Sequence, residues 1–134
     1  MSRDGYNFAD FHKKCDKKGI TIIFIETKDD FRFGGYTELE WDSYSFEKKD
    51  NSTFLFSFNN KEKYSKRNNN YSICCSKDQG PKFGWGPQIY FYENLINGRS
   101  IKSDNNSFVL DNIFVDGKEE WETKEIEVFQ IIYF

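Results

Sequence analysis

Hydrophobic and polar positions repeat with two different periods along this chain, and the period changes at Gly19. Before it, Phe8, Phe11, His12 and Cys15 recur at i, i+3, i+4 and i+7, which is one apolar stripe of a helix. Asn7 can cap that helix and Asp10 stands where a capping box needs its acid. Lys13, Lys14, Lys17 and Lys18 suit the negative C-terminal end, and Gly19 supplies the stop. After Gly19 the period is two. Thr21-Ile-Ile-Phe-Ile25 is apolar on both faces, as a central strand covered on both sides would be, and Asp29-Asp30 begins a turn. Phe31-Arg-Phe33 runs into Gly34-Gly35, a pair that permits positive φ, a bulge or a close backbone approach.

Further strands follow at short intervals. Phe54, Phe56 and Phe58 alternate with Leu55 and Ser57, which predicts a strand with the three rings on its core face, ended by Asn59-Asn60. Tyr71–Cys75 and Gln88–Tyr92 read as two more, the segment 108–115 is a further candidate, and Trp121 to Tyr133 predicts a long final strand. Six or more short strands with one amphipathic N-terminal helix predict a mainly β protein, a two-sheet antiparallel β-sandwich with flanking helical turns.

Composition supports this reading. A chain of 134 residues is one domain and can bury roughly two-thirds of the surface its unfolded form exposes, enough for a core without disulfide or metal staples. The mean hydropathy of −0.79 leans toward disorder. Against it stand 15 Phe, 8 Tyr and 3 Trp with a single alanine, large rings that need burial and that fit a pleated surface better than a helix.

Charge and cysteine usage narrow the function classes. Cys15, Cys74 and Cys75 are odd in number and lack C-x-x-C spacing, so neither a disulfide framework nor a zinc site is expected, and no cofactor is called for. His12 and Cys15 are helix neighbours that could form a redox pair, but two core-facing side chains is the preferred reading. No apolar run approaches the roughly 20 residues of a transmembrane helix, and Met1-Ser-Arg-Asp-Gly lacks the apolar core of a signal peptide, so a cytoplasmic location is expected. The sequons at Asn51, Asn70 and Asn105 then carry no weight. Residues 1–67 carry a net +1 and residues 68–134 a net −4, which is no nucleic-acid signature. Lys61, Lys63, Lys66 and Arg67 read as a solvated turn, and the acidic stretch Asp104 to Glu127 as a solubilising face or a surface that steers a basic partner.

Two segments carry candidate chemistry. Gly80-Pro-Lys-Phe-Gly-Trp-Gly-Pro87 is an irregular loop whose Phe83 and Trp85 can stack on a sugar or a peptide, or else plug one end of the sandwich. On the final strand the alternation places Trp121, Thr123, Glu125, Glu127, Phe129 and Ile131 on one face. Two carboxylates about 6.6 Å apart then stand among apolar neighbours, at the lower edge of the spacing that inverting glycosidases use. Without a Ser-His-Asp pattern or a metal-ligand cluster, hydrolysis is the least favoured reading. A buried carboxylate that accepts backbone hydrogen bonds and ties loops to the sheet, beside Phe129 in the core, is preferred.

With these residues in view, the chain resembles the TLDc domain family, in the subgroup abundant in amoebae and ciliates. The resemblance runs through Arg3-Asp4-Gly5-Tyr6, Phe8 with Phe11-His12 and Cys15-Asp16, then Phe33-Gly34-Gly35-Tyr36-Thr37 with Trp41. It continues in Phe54-Leu-Phe-Ser57, Gly80-Pro81-Lys-Phe83-Gly84 and Glu125-Ile-Glu127-Val-Phe129. The resemblance implies a β-sandwich of two antiparallel sheets with flanking helices, no established catalytic chemistry, and a Glu127 that accepts backbone hydrogen bonds, so that Glu127→Gln costs roughly 1–3 kcal/mol. It also implies membership of a group linked to oxidation resistance and to binding the vacuolar proton-pumping ATPase. Complete relatives carry a further segment before Asp-Gly, so residues 1–134 are expected to be one N-terminally truncated domain. The family's link to oxidation does not make Cys74 and Cys75 a redox pair, because adjacent strand residues point to opposite faces. The expected function is a non-enzymatic protein-interaction domain, with a glycan- or peptide-binding sandwich and a carboxylate hydrolase as the alternatives.

Overall fold

Asn7 opens the helix as its sequence pattern predicts. In this computed structural model, which describes residues 7–44, 46–66, 70–84, 89–92, 94–100, 108 and 119–132, α1 spans Phe8–Cys15. The Asn7 side chain accepts a hydrogen bond from Asp10 N at 2.8 Å, and the Asp10 carboxylate accepts one from Asn7 N at 3.3 Å. Phe11, His12 and Cys15 form the buried stripe. The stop differs from the expected one. The helix ends at Cys15, short of Gly19, because Asp16 is held by tertiary bonds: its carboxylate accepts from Ser43 Oγ at 2.6 Å and meets His12 Nδ1 at 2.8 Å. Lys17 N then donates to Trp41 O at 2.8 Å, and Lys17 itself takes a positive φ of 59°.

The strands form two antiparallel sheets. The larger has seven, in the order β5 (Glu62–Ser65), β4 (Phe54–Ser57), β2 (Arg32–Thr37), β1 (Thr21–Thr27), β10 (Glu120–Gln130), β9 (Asn97–Arg99) and β8 (Tyr90–Phe91). The smaller has three, β3 (Glu47–Lys48), β6 (Ile73–Cys74) and β7 (Lys82–Phe83), and a bridge from Phe83 to Ile89 joins it to the larger sheet. The mainly β sandwich is therefore as expected, with β6 and β8 shorter than their sequence patterns. Of the segment 108–115, Phe108 alone is described; it is buried and bridges to Lys66.

The core lies between the sheets. β1 is central, but only Thr21, Ile23, Ile25 and Thr27 are buried; Ile22, Phe24 and Glu26 face outward and are half-buried, so among the described residues the expected cover on both sides is not found over this strand. Trp41 holds the centre, edge-on to Phe11 at 5.4 Å and to Phe83 at 5.6 Å, with its indole N–H donating to Thr21 Oγ1 at 3.0 Å. Gly34-Gly35 is a close approach and neither a bulge nor a positive-φ turn. A Cβ on Gly35 would lie 2.6 Å from the Phe83 ring, and one on Gly34 would run into the Ile23 carbonyl oxygen. The glycines let β2 pack against that ring on one face and bring Phe24 and Phe56 together across Gly34 on the other.

Two expected faces are reversed. On β4, Leu55 and Ser57 point inward and are buried, whereas Phe54 and Phe56 are half-buried on the outer face and Phe58 is exposed. On β10 the register shifts by one residue: Glu26 pairs with Glu125 but Thr27 pairs with Thr123, so Lys124 is an extra residue. Such a bulge moves every later side chain to the other face. Trp121 and Thr123 point inward as predicted, but beyond Lys124 the buried residue is Ile126, and Glu125, Glu127 and Phe129 turn outward. Phe129 is 49% exposed and does not fill the core.

Candidate functional site

On the outer face of the large sheet rings and charges meet, and among the described residues no layer covers them. Strand register arranges it in rows. Glu125, Glu26 and Arg32 lie side by side across β10, β1 and β2. The next row runs Glu127, Phe24, Gly34, Phe56 and Lys63, and the third Phe129, Ile22, Tyr36, Phe54 and Ser65. Direct cross-strand neighbours of this kind interact, and like charges placed opposite each other repel. Glu26 and Glu125 are such a pair. Their repulsion is offset by Arg32, whose Nε donates to Glu26 at 2.7 Å, and by Lys124 Nζ at 3.5 Å. The Arg32 hydrogen bond holds the Glu26 carboxyl below its usual range.

The aromatic centre of this face is a packed cluster. Phe24 lies edge-on to Phe56 at 5.3 Å and to Phe129 at 5.6 Å, and stacks on Phe58 at 5.9 Å with planes 5° apart. Tyr36 stacks on Phe54 at 4.9 Å. At the β5 end, Lys63 Nζ sits 4.3 Å from the centre of the Phe54 ring, a cation over an aromatic face. Beside Phe24, Phe58 and Phe129 opens a groove of about 420 Å³ that Glu26, Arg32, Glu125 and Glu127 also line.

The sequence motifs fall on both sides of the sheet. Phe33, Gly35 and Trp41 are core residues, and Gly80, Pro81 and Gly84 are buried in the loop that carries β7. Phe83 is fully buried against Trp41 and Gly35, which corrects its assignment to a partner surface: the ring plugs the sandwich. Trp85, Asp4 and Gly5 lie outside the described residues. Glu127 is exposed and, among the described residues, its carboxylate receives no hydrogen bond or ion pair, so it is not the buried acceptor that was expected. The protein-family model of the TLDc domain matches residues 1–132. The chain belongs to the TLDc domain family. A search of curated proteins found no match.

Within this TLDc domain the cysteines are placed for packing. Cys15, Cys74 and Cys75 are all free thiols and all buried. Burial pushes the Cys75 thiol up to about 11, so it is protonated at neutral pH and a poor nucleophile. Both ring nitrogens of His12 are engaged by oxygens. Its Nε2 lies 2.7 Å from Gln79 O and 3.0 Å from Ser76 O while its Nδ1 faces Asp16, so the imidazole ties α1 to the 76–79 turn. Burial likewise pushes the Tyr71 phenol up to about 12. A second polar tie centres on Asp50, which accepts from Ser72 Oγ at 2.7 Å and Ser52 Oγ at 2.9 Å. Burial raises the Asp50 carboxyl, but the hydrogen bonds from Ser72, Thr53 and Ser52 outweigh it and hold the group below its ordinary value. Among the described residues no group of three His, Cys, Asp or Glu is arranged to hold a metal ion, and no helix is long and apolar enough to cross a membrane.

Proposed function

We propose that this TLDc domain is a non-enzymatic protein-interaction domain of the cytoplasm, linked to oxidative-stress resistance and to binding or regulating the vacuolar proton-pumping ATPase. The observation that carries the reading is the open aromatic face of the large sheet, where Phe58 is 56% and Phe129 49% exposed beside a row of charges. Exposed apolar patches rimmed by polar groups mark sites of protein contact. The link to stress resistance and to the proton pump rests on the family alone. A hydrolytic use of Glu125 and Glu127 is disfavoured by their setting, since both project from the same face of one strand, whereas a glycosidase pair flanks the scissile bond. The buried thiols argue that a part in oxidation resistance runs through partners and not through cysteine chemistry of this domain. Affinity capture of the tagged chain from its native cell, probed for proton-pump subunits and analysed by mass spectrometry, tests the proposal. Specific recovery of pump subunits supports it, and their absence at native expression rejects the pump as partner.

A further inference from the structure

The groove beside Phe58 has a floor and walls of different chemistry. Phe24, Phe58 and Phe129 give an apolar floor, and Glu26, Glu125 and Glu127 stand along it. Among the described residues the one cation in the lining, Arg32, is tied by its Nε to Glu26. The lining is therefore net negative, and the carboxylate farthest from that tie, Glu127, stands beside the Phe24 ring in the cross-strand register. The same sheet face also shows what such rings hold: Lys63 rests its ammonium on Phe54 at 4.3 Å.

We propose that this groove receives a cationic side chain, arginine or lysine, from an extended segment of a protein partner. This rests on the interaction-domain reading and gives it a site. The aliphatic stem lies on the rings of Phe24, Phe58 and Phe129, and the charged head reaches Glu127 and Glu125. Both long cationic side chains pair an apolar stem with a charged tip, and aromatic faces attract the tip. Charge decides against the other occupants. An acidic or phosphorylated segment meets three carboxylates, and a purely apolar one strips water from charges that it cannot satisfy. Size decides against a second copy of the chain. Five strands at about 4.8 Å spacing and three rows at about 6.6 Å give a face on the order of 400–500 Å², well below the roughly 800 Å² per partner of a stable complex. A linear segment fits a face of that size.

The test uses the full chain and a short fluorescein-labelled peptide alternating leucine and arginine, read by fluorescence anisotropy. A second peptide carries citrulline for arginine, which keeps the shape and removes the charge, with a carbonyl oxygen in place of one guanidinium NH2 group. Saturable binding of the arginine peptide, weakened about tenfold by citrulline, by the Glu125→Gln/Glu127→Gln pair and by Phe58→Ser, is the expected result. Glutamine is near-isosteric with glutamate on an exposed strand, so the double variant keeps the test valid if Phe58→Ser lowers the melting temperature. Equal binding of both peptides, undiminished binding by the double glutamine variant, or no binding at all overturns the proposal. So does self-association of wild-type protein in sedimentation that Phe58→Ser abolishes, since a second copy then covers the face. Capture from cells separates the two readings. Proton-pump subunits recovered equally by wild type and by the glutamine variant sink the groove but leave the pump reading standing; arginine-dependent peptide binding without pump capture does the reverse.

Discussion

On the inner face of the seven-stranded sheet Phe33 packs edge-on against Trp121 at 4.8 Å, and both rings are buried. On the outer face of the same strands Phe24 packs edge-on against Phe129 at 5.6 Å, yet half of Phe129 stays in water. Ring contact alone therefore does not make a core. The inner rings are buried because α1, Trp41 and the β6–β7 sheet close over them, while among the described residues the outer rings pack on one another beside a border of charge. Two populations of phenylalanine follow, one buried in the core and one left partly exposed on the outer face.

The sharpest test of that division compares one ring from each side. Phe83→Ala empties the space between Trp41 and Gly35 and is expected to cost about 3–5 kcal/mol in urea unfolding, as for other buried aromatics. Phe129→Ala is expected to cost less than about 1 kcal/mol, since the ring is half exposed. Equal losses would mean that the outer cluster is a second core.

A smaller effect reads the contact between the sheets directly. Gly35→Ala places a methyl group 2.6 Å from the Phe83 ring, and overpacking of this kind costs about 1–3 kcal/mol. The loss should shrink when Phe83 is replaced by the narrower Leu, so a double-mutant cycle over Gly35 and Phe83 is expected to show favourable coupling. Additive losses would place the strain elsewhere.

Next in size is the polar tie between β6 and the loop before β4. Asp50→Asn keeps the shape but weakens the bonds from Ser72 and Ser52, for a loss of about 1 kcal/mol at pH 7. The Asp50 carboxyl lies below its ordinary 3.8 in the folded state, so as acid is added the unfolded chain takes up this proton first. Its stabilisation is complete above that ordinary value and fades as pH falls through the lower folded one. Wild type and Asp50→Asn should thus converge below pH 4 in chemical unfolding, and a gap that stays constant down to pH 2 would exclude Asp50 as the titrating group.

Sequence pattern reached one side of the molecule and missed the other for a physical reason. The capping box, the strand Thr21–Ile25 and the glycine pair are set by neighbours a few residues apart, and each is legible in the chain. The facing of a strand is not local. Phe54, Phe56 and Phe58 alternate as a buried stripe should, yet Leu55 and Ser57 occupy the core, because the two faces of this strand are both apolar enough to be chosen by the sheet packed against them. The bulge at Lys124 has no glycine or proline to announce it, and one extra residue was enough to send Glu125, Glu127 and Phe129 outward. The one available signal was chemical: two glutamates on a face that also carried Phe129 suit an exposed surface better than a core. Phe83 follows the second of its two readings, since the loop between glycines and prolines folds its ring under the sandwich and does not offer it to a partner.

Glu127 gives the smallest effect on stability and the most telling contrast. Its carboxylate is exposed, pairs in register with Phe24, and stands two residues from Glu125 on a face with a net negative border. Glutamine at this position leaves no buried donor unmatched and relieves some repulsion, so unfolding free energy should move by no more than about 0.5 kcal/mol in either direction. The alternation of β10 read without its bulge makes Glu127 a buried acceptor and demands a loss of 1–3 kcal/mol, so the two accounts differ by more than the error of a urea titration. The same protein sample can then be used for anisotropy with the arginine peptide. Wild-type stability together with weakened peptide binding assigns Glu127 to recognition. A loss above 1 kcal/mol with unchanged binding per folded molecule returns it to the structural role, and with it the claim that the outer face carries the contact loses its charged half.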